Sequence, residues 1–267
     1  MVDLAGSVAA ADSVAAAQAG IGNMAKMTLD ELVSQLAAIY GNELVGVALY
    51  GSAARGEHIT KRSDINVIVV VERVSMEHLR KESPVSRAWR DAGNPPPLTL
   101  TRSEWMGSAD IFPIEYADIL AFHKVVKGTL PLEGIRVHAH ELRLQLEHES
   151  MSYLLRLRHA VLDAGSDQKA LLTLLEKSVS TMLVLLRASL RLLGEEPPAD
   201  SQAVCARFTS RSTLDVAPVL RVLHHVRGTT LLSQRDGADL VEPYLSFADE
   251  LVRYLDTFTD SKGSDER

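Results

Sequence analysis

The sequence predicts an α+β protein, in which a mixed sheet flanked by helices is followed by an all-helical bundle. Two short, almost continuously apolar runs, 44–50 and 65–71, are rich in Val and Ile and bounded by turn residues, which is typical of buried strands. Beyond about Val137 the apolar residues recur at helical spacing instead. With 46% apolar and 24% charged residues, the composition is that of a folded chain.

Charge and cysteine content exclude several classes of function. A net charge of −7 argues against general binding to nucleic acid backbones or anionic membranes, because both are themselves negative. Cys205 is the one cysteine, which excludes an internal disulfide and fits a reducing cytoplasm. The apolar run 170–193 contains Glu176 and Lys177, so it predicts a buried helix rather than a membrane span. Since no Lys or Arg precedes Lys26, we expect no signal peptide and a cytoplasmic protein without a membrane partner.

The first half of the chain is predicted to be a flexible, alanine-rich leader over 1–26 and a domain over 27–134. Thr28 and Glu31 have capping-box spacing, which predicts a helix that runs from Leu29 to Tyr40. The remaining elements predicted here are strands at 44–50, 65–71 and 98–101, a helix over 76–90 around Pro84, and short extended segments at 111–116 and 124–126.

The second half is predicted to be a helical bundle over 135–259 and a solvated tail over 260–267. Four broad apolar stripes predict an antiparallel bundle. The four predicted helices are 142 to about 165, 170–193, about 214–227 and about 243–258. Cys205 is expected to be a small buried residue in a linker. His138 and His140 alternate as metal ligands can, but the segment turns into a helix and shows no fourth ligand, so we favour a structural role.

One group of residues, at the end of the first predicted strand and the start of the second, suggests a chemical function. The strand 44–50 runs into Gly51 and Ser52, and small residues at this position leave backbone amides uncovered for phosphate oxygens. Asp64 and Asn66 lie two residues apart on the next strand, so their side chains leave the same face. A hard cation could bridge these two oxygen-bearing groups to a nucleotide.

At these residues the sequence resembles the DNA polymerase β-like nucleotidyltransferase superfamily, especially small bacterial members such as the aminoglycoside nucleotidyltransferases. The shared pattern is a Gly-Ser turn, about ten residues, and then two acidic residues separated by an apolar one. Here the eleven residues 53–63 separate the turn from Asp64. The resemblance covers roughly 44–134 and implies a nucleotidyltransferase-type sheet to which a helical domain is appended.

The resemblance also implies an activity and a set of site residues. The activity is transfer of a nucleoside monophosphate from a nucleoside triphosphate, with ATP preferred, to a small-molecule or protein acceptor, with Mg²⁺ or Mn²⁺ as cofactor. The implied residues are Asp64, Asn66 and Glu115 as catalytic groups, Asp64 and Asn66 as metal ligands, and Gly51, Ser52, Arg55 and Arg62 as nucleotide-binding groups. Lys61 could also steer the triphosphate by its charge.

The sequence departs from this pattern in two of its three carboxylates. Asn66 is neutral where the second acid is expected. The third acid would lie on the strand 98–101, where Thr99 is the expected occupant, and Glu115 or Asp110 could substitute for it. Replacing one ligand carboxylate with an amide costs about 4 kcal/mol at 4 Å and an effective dielectric of 20, or roughly a thousandfold.

Two classes of function therefore stay open. The first is an active nucleotidyltransferase, and the second is a catalytically degenerate module that binds a nucleotide or regulates a partner. A toxin–antitoxin component that modifies a partner is a third, weaker alternative. The sequence also leaves a homodimer open beside a monomer.

Overall fold

The computed structural model describes residues 26–56 and 64–258. They divide into two compact units. The sheet unit comprises 26–54, 64–105 and 123–131, and the helical unit comprises 55–56, 106–122 and 132–258. Whether 27–134 and 135–259 fold as separate domains stays a prediction. No helix in the described ranges is long and apolar enough to cross a membrane.

The sheet unit contains four strands in the order β3-β2-β1-β4. The strands are β1 (Leu44–Tyr50), β2 (Asn66–Val71), β3 (Leu98–Thr101) and β4 (His123–Gly128). β1 pairs antiparallel with both β2 and β4, and β2 pairs parallel with β3. The sheet is therefore mixed, as predicted, and β1 and β2 are its central strands.

Helices of the sheet unit pack against one face of this sheet. They are α1 (Leu29–Tyr40), which begins at the predicted Thr28 capping box, and α3 (Met76–Asp91), which includes Pro84. A short helix α2 (Ser52–Arg55) follows β1, and α4 (Arg102–Gly107) follows β3. The side chains that pack against α1 and α3 form what we call the core face: Val47, Leu49, Val67, Val69 and Val71. Each is at most 7% exposed.

The helical unit is built from six helices. They are α5 (Pro113–Ala121), α6 (Ala139–Ala164), α7 (Gln168–Leu192), α8 (Ser201–Arg211), α9 (Ala217–Arg227) and α10 (Gln234–Asp256). Their apolar stripes share one core. The centre of that core includes Leu146, Met182, Leu186 and Phe208, all fully buried.

Three sequence-based expectations for the helical unit are wrong. The segment 111–116 is not extended, because Pro113 begins α5 in the first turn, where a proline needs no amide partner. Cys205 lies in α8, which begins after the N-cap Asp200, and not in a linker. α10 starts nine residues before Pro243, at a capping box formed by Ser233 and Asp236.

Candidate functional site

The Gly-Ser turn lies directly at the end of β1. Gly51 has a φ of 71°, a left-handed backbone conformation that glycine adopts without a steric penalty. α2 begins at the next residue, Ser52. The local backbone is therefore a strand, a one-residue turn and a helical turn, which is the arrangement that the motif predicts.

Asn66 lies against this turn. It is the first residue of β2 and pairs with Tyr50, the last residue of β1. A Cβ atom added to Gly51 would lie 3.0 Å from the side-chain amide nitrogen of Asn66. Only a glycine leaves this space to the amide, so the structure brings two of the predicted site residues, Gly51 and Asn66, into contact distance.

Asp64 lies just before β2, two residues from Asn66, and is exposed. The alternation predicted for this segment is confirmed on its apolar side, because Ile65 and Val67 both pack into the core of the sheet unit. The backbone N–H of Ile65 donates to the side-chain oxygen of Asn94 at 3.0 Å. Asn94 therefore fixes the backbone next to Asp64, a positioning role that the sequence did not predict.

Two further polar side chains share the row of Asn66. Tyr50 is its partner across β1 and β2, and His123 is the partner of Tyr50 across β1 and β4. Directly opposed residues of antiparallel strands have their side chains on the same face. We call Asn66, Tyr50 and His123 the site row; it lies on the opposite face from the core face. Sequence reasoning missed Tyr50 and His123 because the pairings of β1 with β2 and with β4 are not encoded locally.

Thr99 does not occupy the position of the third acid, contrary to expectation. It pairs with Val69 of the core face, and its hydroxyl donates to Glu82 of α3 at 3.0 Å. Its side chain therefore points away from the site row. Leu98 and Leu100, which pair with Ile68 and Val70, take the face that Asn66 shares, so β3 offers this face no carboxylate.

Glu115, the proposed substitute, lies in α5 of the helical unit. Its carboxyl group accepts a hydrogen bond at 2.9 Å from the side-chain amide of Gln145, whose oxygen accepts at 2.8 Å from the backbone N–H of Ile114. Burial raises the pKa of Glu115, the hydrogen bond from Gln145 opposes this rise, and the carboxylates of Glu149 and Asp118 add to it. Glu115 thus has a structural partner of its own, and its catalytic role stays a prediction. Asp110 lies in an exposed turn of the same unit.

Arg55, predicted to bind the nucleotide, is held by an acid. Its guanidinium lies 2.6 Å from Asp118, which also lies 3.5 Å from Arg191. The side chains of Arg55 and Arg191 are only 6% and 8% exposed. Burial lowers the pKa of Arg191, and the nearby Asp118 opposes that change. Asp118 therefore pairs with two buried guanidinium groups of the helical unit, and Glu196 adds a second negative charge near Arg191.

Two other predicted groups cannot be placed, since Lys61 and Arg62 lie outside the described residues. Over 26–56 and 64–258 there is no group of three or more His, Cys, Asp or Glu side chains that could hold a metal ion. His138 is the residue that precedes α6. That Asp64 and Asn66 are ligands of a cation stays a prediction.

Comparisons with known proteins show the fold. The chain is similar to the crystal structure of the spectinomycin adenyltransferase AAD(9) from Enterococcus faecialis, solved with ATP and spectinomycin. The TM-score is 0.55 at 12% sequence identity, and the match covers 84% of this chain and 98% of that chain. No family model and no curated protein sequence matches the chain. The architecture, a mixed sheet with helices and a helical C-terminal region, is that of the nucleotidyltransferase fold.

Proposed function

We propose that this protein is a nucleotidyltransferase that transfers a nucleoside monophosphate from a nucleoside triphosphate to a hydroxyl group of an acceptor. The observation that carries the proposal is the contact of Gly51 with Asn66, beside Asp64, where the two central strands β1 and β2 of a sheet with the nucleotidyltransferase fold meet at their ends. ATP is the preferred donor and a small molecule the preferred acceptor, because the similar structure was solved with ATP and spectinomycin. A protein acceptor stays the alternative, and the cytoplasm is the proposed location.

The chemistry of the donor set suits a hard divalent cation such as Mg²⁺ or Mn²⁺. Mg²⁺ is commonly held by one or two carboxylates together with the phosphates of the substrate. Asp64 would supply the carboxylate and Asn66 an amide oxygen. When bound, the cation would neutralise charge on the triphosphate. This donor set is weaker than one of three carboxylates, so we expect the triphosphate to contribute most of the ligands.

We assign the remaining roles, phosphate binding, positioning of Asp64 and proton transfer, to residues of the chain itself. The hydroxyl of Ser52, at the start of α2, and the backbone amides that follow Gly51 would hold phosphate oxygens. Asn94 keeps the backbone at Asp64 in place through Ile65. Since β3 offers no carboxylate, His123 is the group of the site row that could take the proton from an acceptor hydroxyl. The Cα atom of His123 lies about two strand spacings, or roughly 10 Å, from that of Asn66.

Pyrophosphate release from ATP with a panel of hydroxyl-bearing acceptors and Mg²⁺ or Mn²⁺ tests this function. We expect the Asp64→Asn variant to lose about a thousandfold in rate, the cost estimated above for one ligand charge. The matched control is Asp30→Asn, because Asp30 is an exposed aspartate in the first turn of α1. Equal rates for Asp64→Asn and the native protein would contradict the proposal.

A second candidate function is nucleotide binding without transfer. It is favoured by the neutral Asn66 and by Leu98 and Leu100 on the face where an acid is expected. Calorimetric titration with a non-hydrolysable ATP analogue, alongside the transfer assay, separates the two functions. A degenerate site predicts binding without turnover and a gain of activity in Asn66→Asp. A working site predicts turnover in the native protein and a loss in that variant.

A further inference from the structure

The outer face of α6 carries an unusual set of exposed apolar side chains. Leu144, Met151, Leu155 and Leu162 are 50%, 43%, 45% and 77% exposed. Their spacings of seven, four and seven residues place all four on one stripe of the helix. We call these four residues the α6 stripe. Its exposure is notable because the opposite side of α6, through Leu146, Tyr153 and Leu157, forms part of the core of the helical unit.

The α6 stripe is symmetric about the level of Tyr153. Leu144 and Leu162 lie nine residues before and after Tyr153, and Met151 and Leu155 lie two residues before and after it. If two copies of α6 pack antiparallel with a two-fold axis at this level, Leu144 meets Leu162 of the second copy and Met151 meets Leu155. Tyr153 does not obstruct this contact, because its hydroxyl is buried against Ser178 and Tyr244.

One flank of the stripe carries complementary charges in the same arrangement. The periodicity of the helix puts Glu147 and Arg158 on one flank of the stripe, and His148 and His159 on the other. A two-fold axis that reverses the helix direction keeps each flank on its own side and exchanges its ends. Glu147 then faces Arg158 of the second copy, and the symmetry repeats this contact. Each of the two already has an ion pair within its own chain, Glu147 with Arg143 at 2.7 Å and Arg158 with Asp249 at 2.9 Å, so the contact between copies would extend these pairs. A parallel two-fold arrangement would instead exchange the flanks and place Glu147 beside His148 of the second copy.

We propose that the α6 stripe is the interface of a homodimer, in which two copies of α6 pack antiparallel about Tyr153. Self-complementarity of apolar and charged positions under one two-fold axis is what an isologous dimer interface requires. The stripe extends about 27 Å, at 1.5 Å per residue. A single helix pair of this length buries less than the roughly 800 Å² per partner of a standard interface. The dimer is therefore weak, and its population depends on protein concentration.

Sedimentation velocity of the full chain over concentrations from about 1 to 300 µM tests the dimer. We expect the native protein to shift from monomer to dimer within this range. Leu162→Glu should raise the dissociation constant at least tenfold. The control is Leu231→Glu, since Leu231 is similarly exposed, at 73%, but lies outside α6, and this variant should associate as the native protein does. A native protein that stays monomeric, or a Leu162→Glu variant that dimerises normally, overturns the proposal.

Two mixing experiments test the orientation. A short bismaleimide should cross-link Leu144→Cys to Leu162→Cys when the two variants are mixed, and should link neither variant to itself. Cys205 is fully buried, and the unmodified protein is the control for its reactivity. Likewise, Glu147→Arg and Arg158→Glu should each dimerise less than the native protein, while their mixture should recover dimers. Self-linkage of Leu144→Cys would show a parallel pair. Dimerisation only after removal of residues 1–25 would show that this segment covers the α6 stripe in the full chain. Either result overturns the proposal.

Discussion

The core face and the site row share strands β1 and β2, yet their residues differ in burial and in what they contact. Val67 is 1% exposed and packs against α1 and α3, whereas its neighbour Asn66 is partly exposed and lies against Gly51. A shift of one residue along a strand exchanges the two faces. Whether a strand residue can take part in the site therefore depends on which face of the sheet its side chain occupies, as well as on its chemistry.

A buried carboxyl group on the core side also shows that the face of the sheet determines the role of a polar residue. Glu82 is only 7% exposed, and its carboxyl group accepts hydrogen bonds from Tyr40 and Thr99. These donors satisfy a buried carboxyl group, whose burial would otherwise be costly. A carboxyl group close to the sheet is thus part of the packing on this side, and its chemistry alone does not make it part of the proposed site.

The largest expected effect is on the core face. Trp89 of α3 is 1% exposed and packs in the core of the sheet unit. Because it leaves a large cavity, Trp89→Ala should lower the free energy of unfolding by about 3 to 5 kcal/mol. Urea denaturation followed by circular dichroism measures this loss. The comparison variant is His123→Ala on the site row, and a similar loss there would remove the distinction between the two faces.

The next largest effect concerns the polar group of the core side. Tyr40→Phe removes one donor from the buried Glu82, and we expect a loss of about 1.5 to 3 kcal/mol, the range for hydrogen bonds to charged groups. The same urea measurement applies. A loss below about 0.5 kcal/mol would show that Glu82 finds another donor in its place.

Tyr40 should also make stability depend on alkaline pH. Burial first, and then the carboxyl group of Glu82, raise the pKa of Tyr40 above its ordinary value of 10.0. Since the folded value exceeds the unfolded one, this contribution is intact below pH 10 and declines as the pH rises above it, by at most about 1.4 kcal/mol per unit. Between pH 9 and 11 the native protein should therefore lose more unfolding free energy than Tyr40→Phe. Parallel curves for the two proteins would contradict this assignment.

Much of the fold could be predicted from local sequence. The Val- and Ile-rich runs predicted β1 and β2 to within one residue, and the capping residue Thr28 predicted the start of α1. The misses have local reasons. The short apolar segment 111–116 does not distinguish strand from helix. Pro243 suggests a helix start, but α10 begins at Gln234, after the N-cap Ser233.

The site could be predicted only where its residues are close in sequence. The Gly-Ser turn and Asn66 follow one motif, and the structure brings Gly51 and Asn66 together. His123 joins them through the pairing of β4 with β1, a long-range contact with no local signal. The prediction for Thr99 was wrong because the face of its side chain depends on the parallel register of β3 against β2. That register cannot be derived from the sequence of a four-residue strand.

Neighbouring residues of β2 provide a sharper test of the two faces. Val67→Thr replaces a methyl group with a hydroxyl among apolar neighbours, and a buried hydroxyl without a partner should cost about 1 to 2 kcal/mol. Asn66→Thr introduces the same side chain one residue earlier, on the partly exposed site row, and should change stability by less than about 0.5 kcal/mol. Thermal unfolding of both variants compares them directly, and equal losses would mean that the face does not matter.

The last prediction concerns Gly51, the residue that joins β1 to the site, and its main effect is on nucleotide binding. Gly51→Ala must keep a φ of 71°, which costs about 1 kcal/mol for a residue with a Cβ atom. The added Cβ would also lie 3.0 Å from the amide nitrogen of Asn66, so the amide has to move. We therefore expect the loss of binding free energy for the ATP analogue, measured by titration, to exceed the loss of unfolding free energy. Gly93→Ala is the control, because Gly93 also has a positive φ of 99° but no atom within 4 Å of an added Cβ. If both variants lose stability alike and only Gly51→Ala loses affinity, the contact between Gly51 and Asn66, rather than backbone strain, is what the site requires.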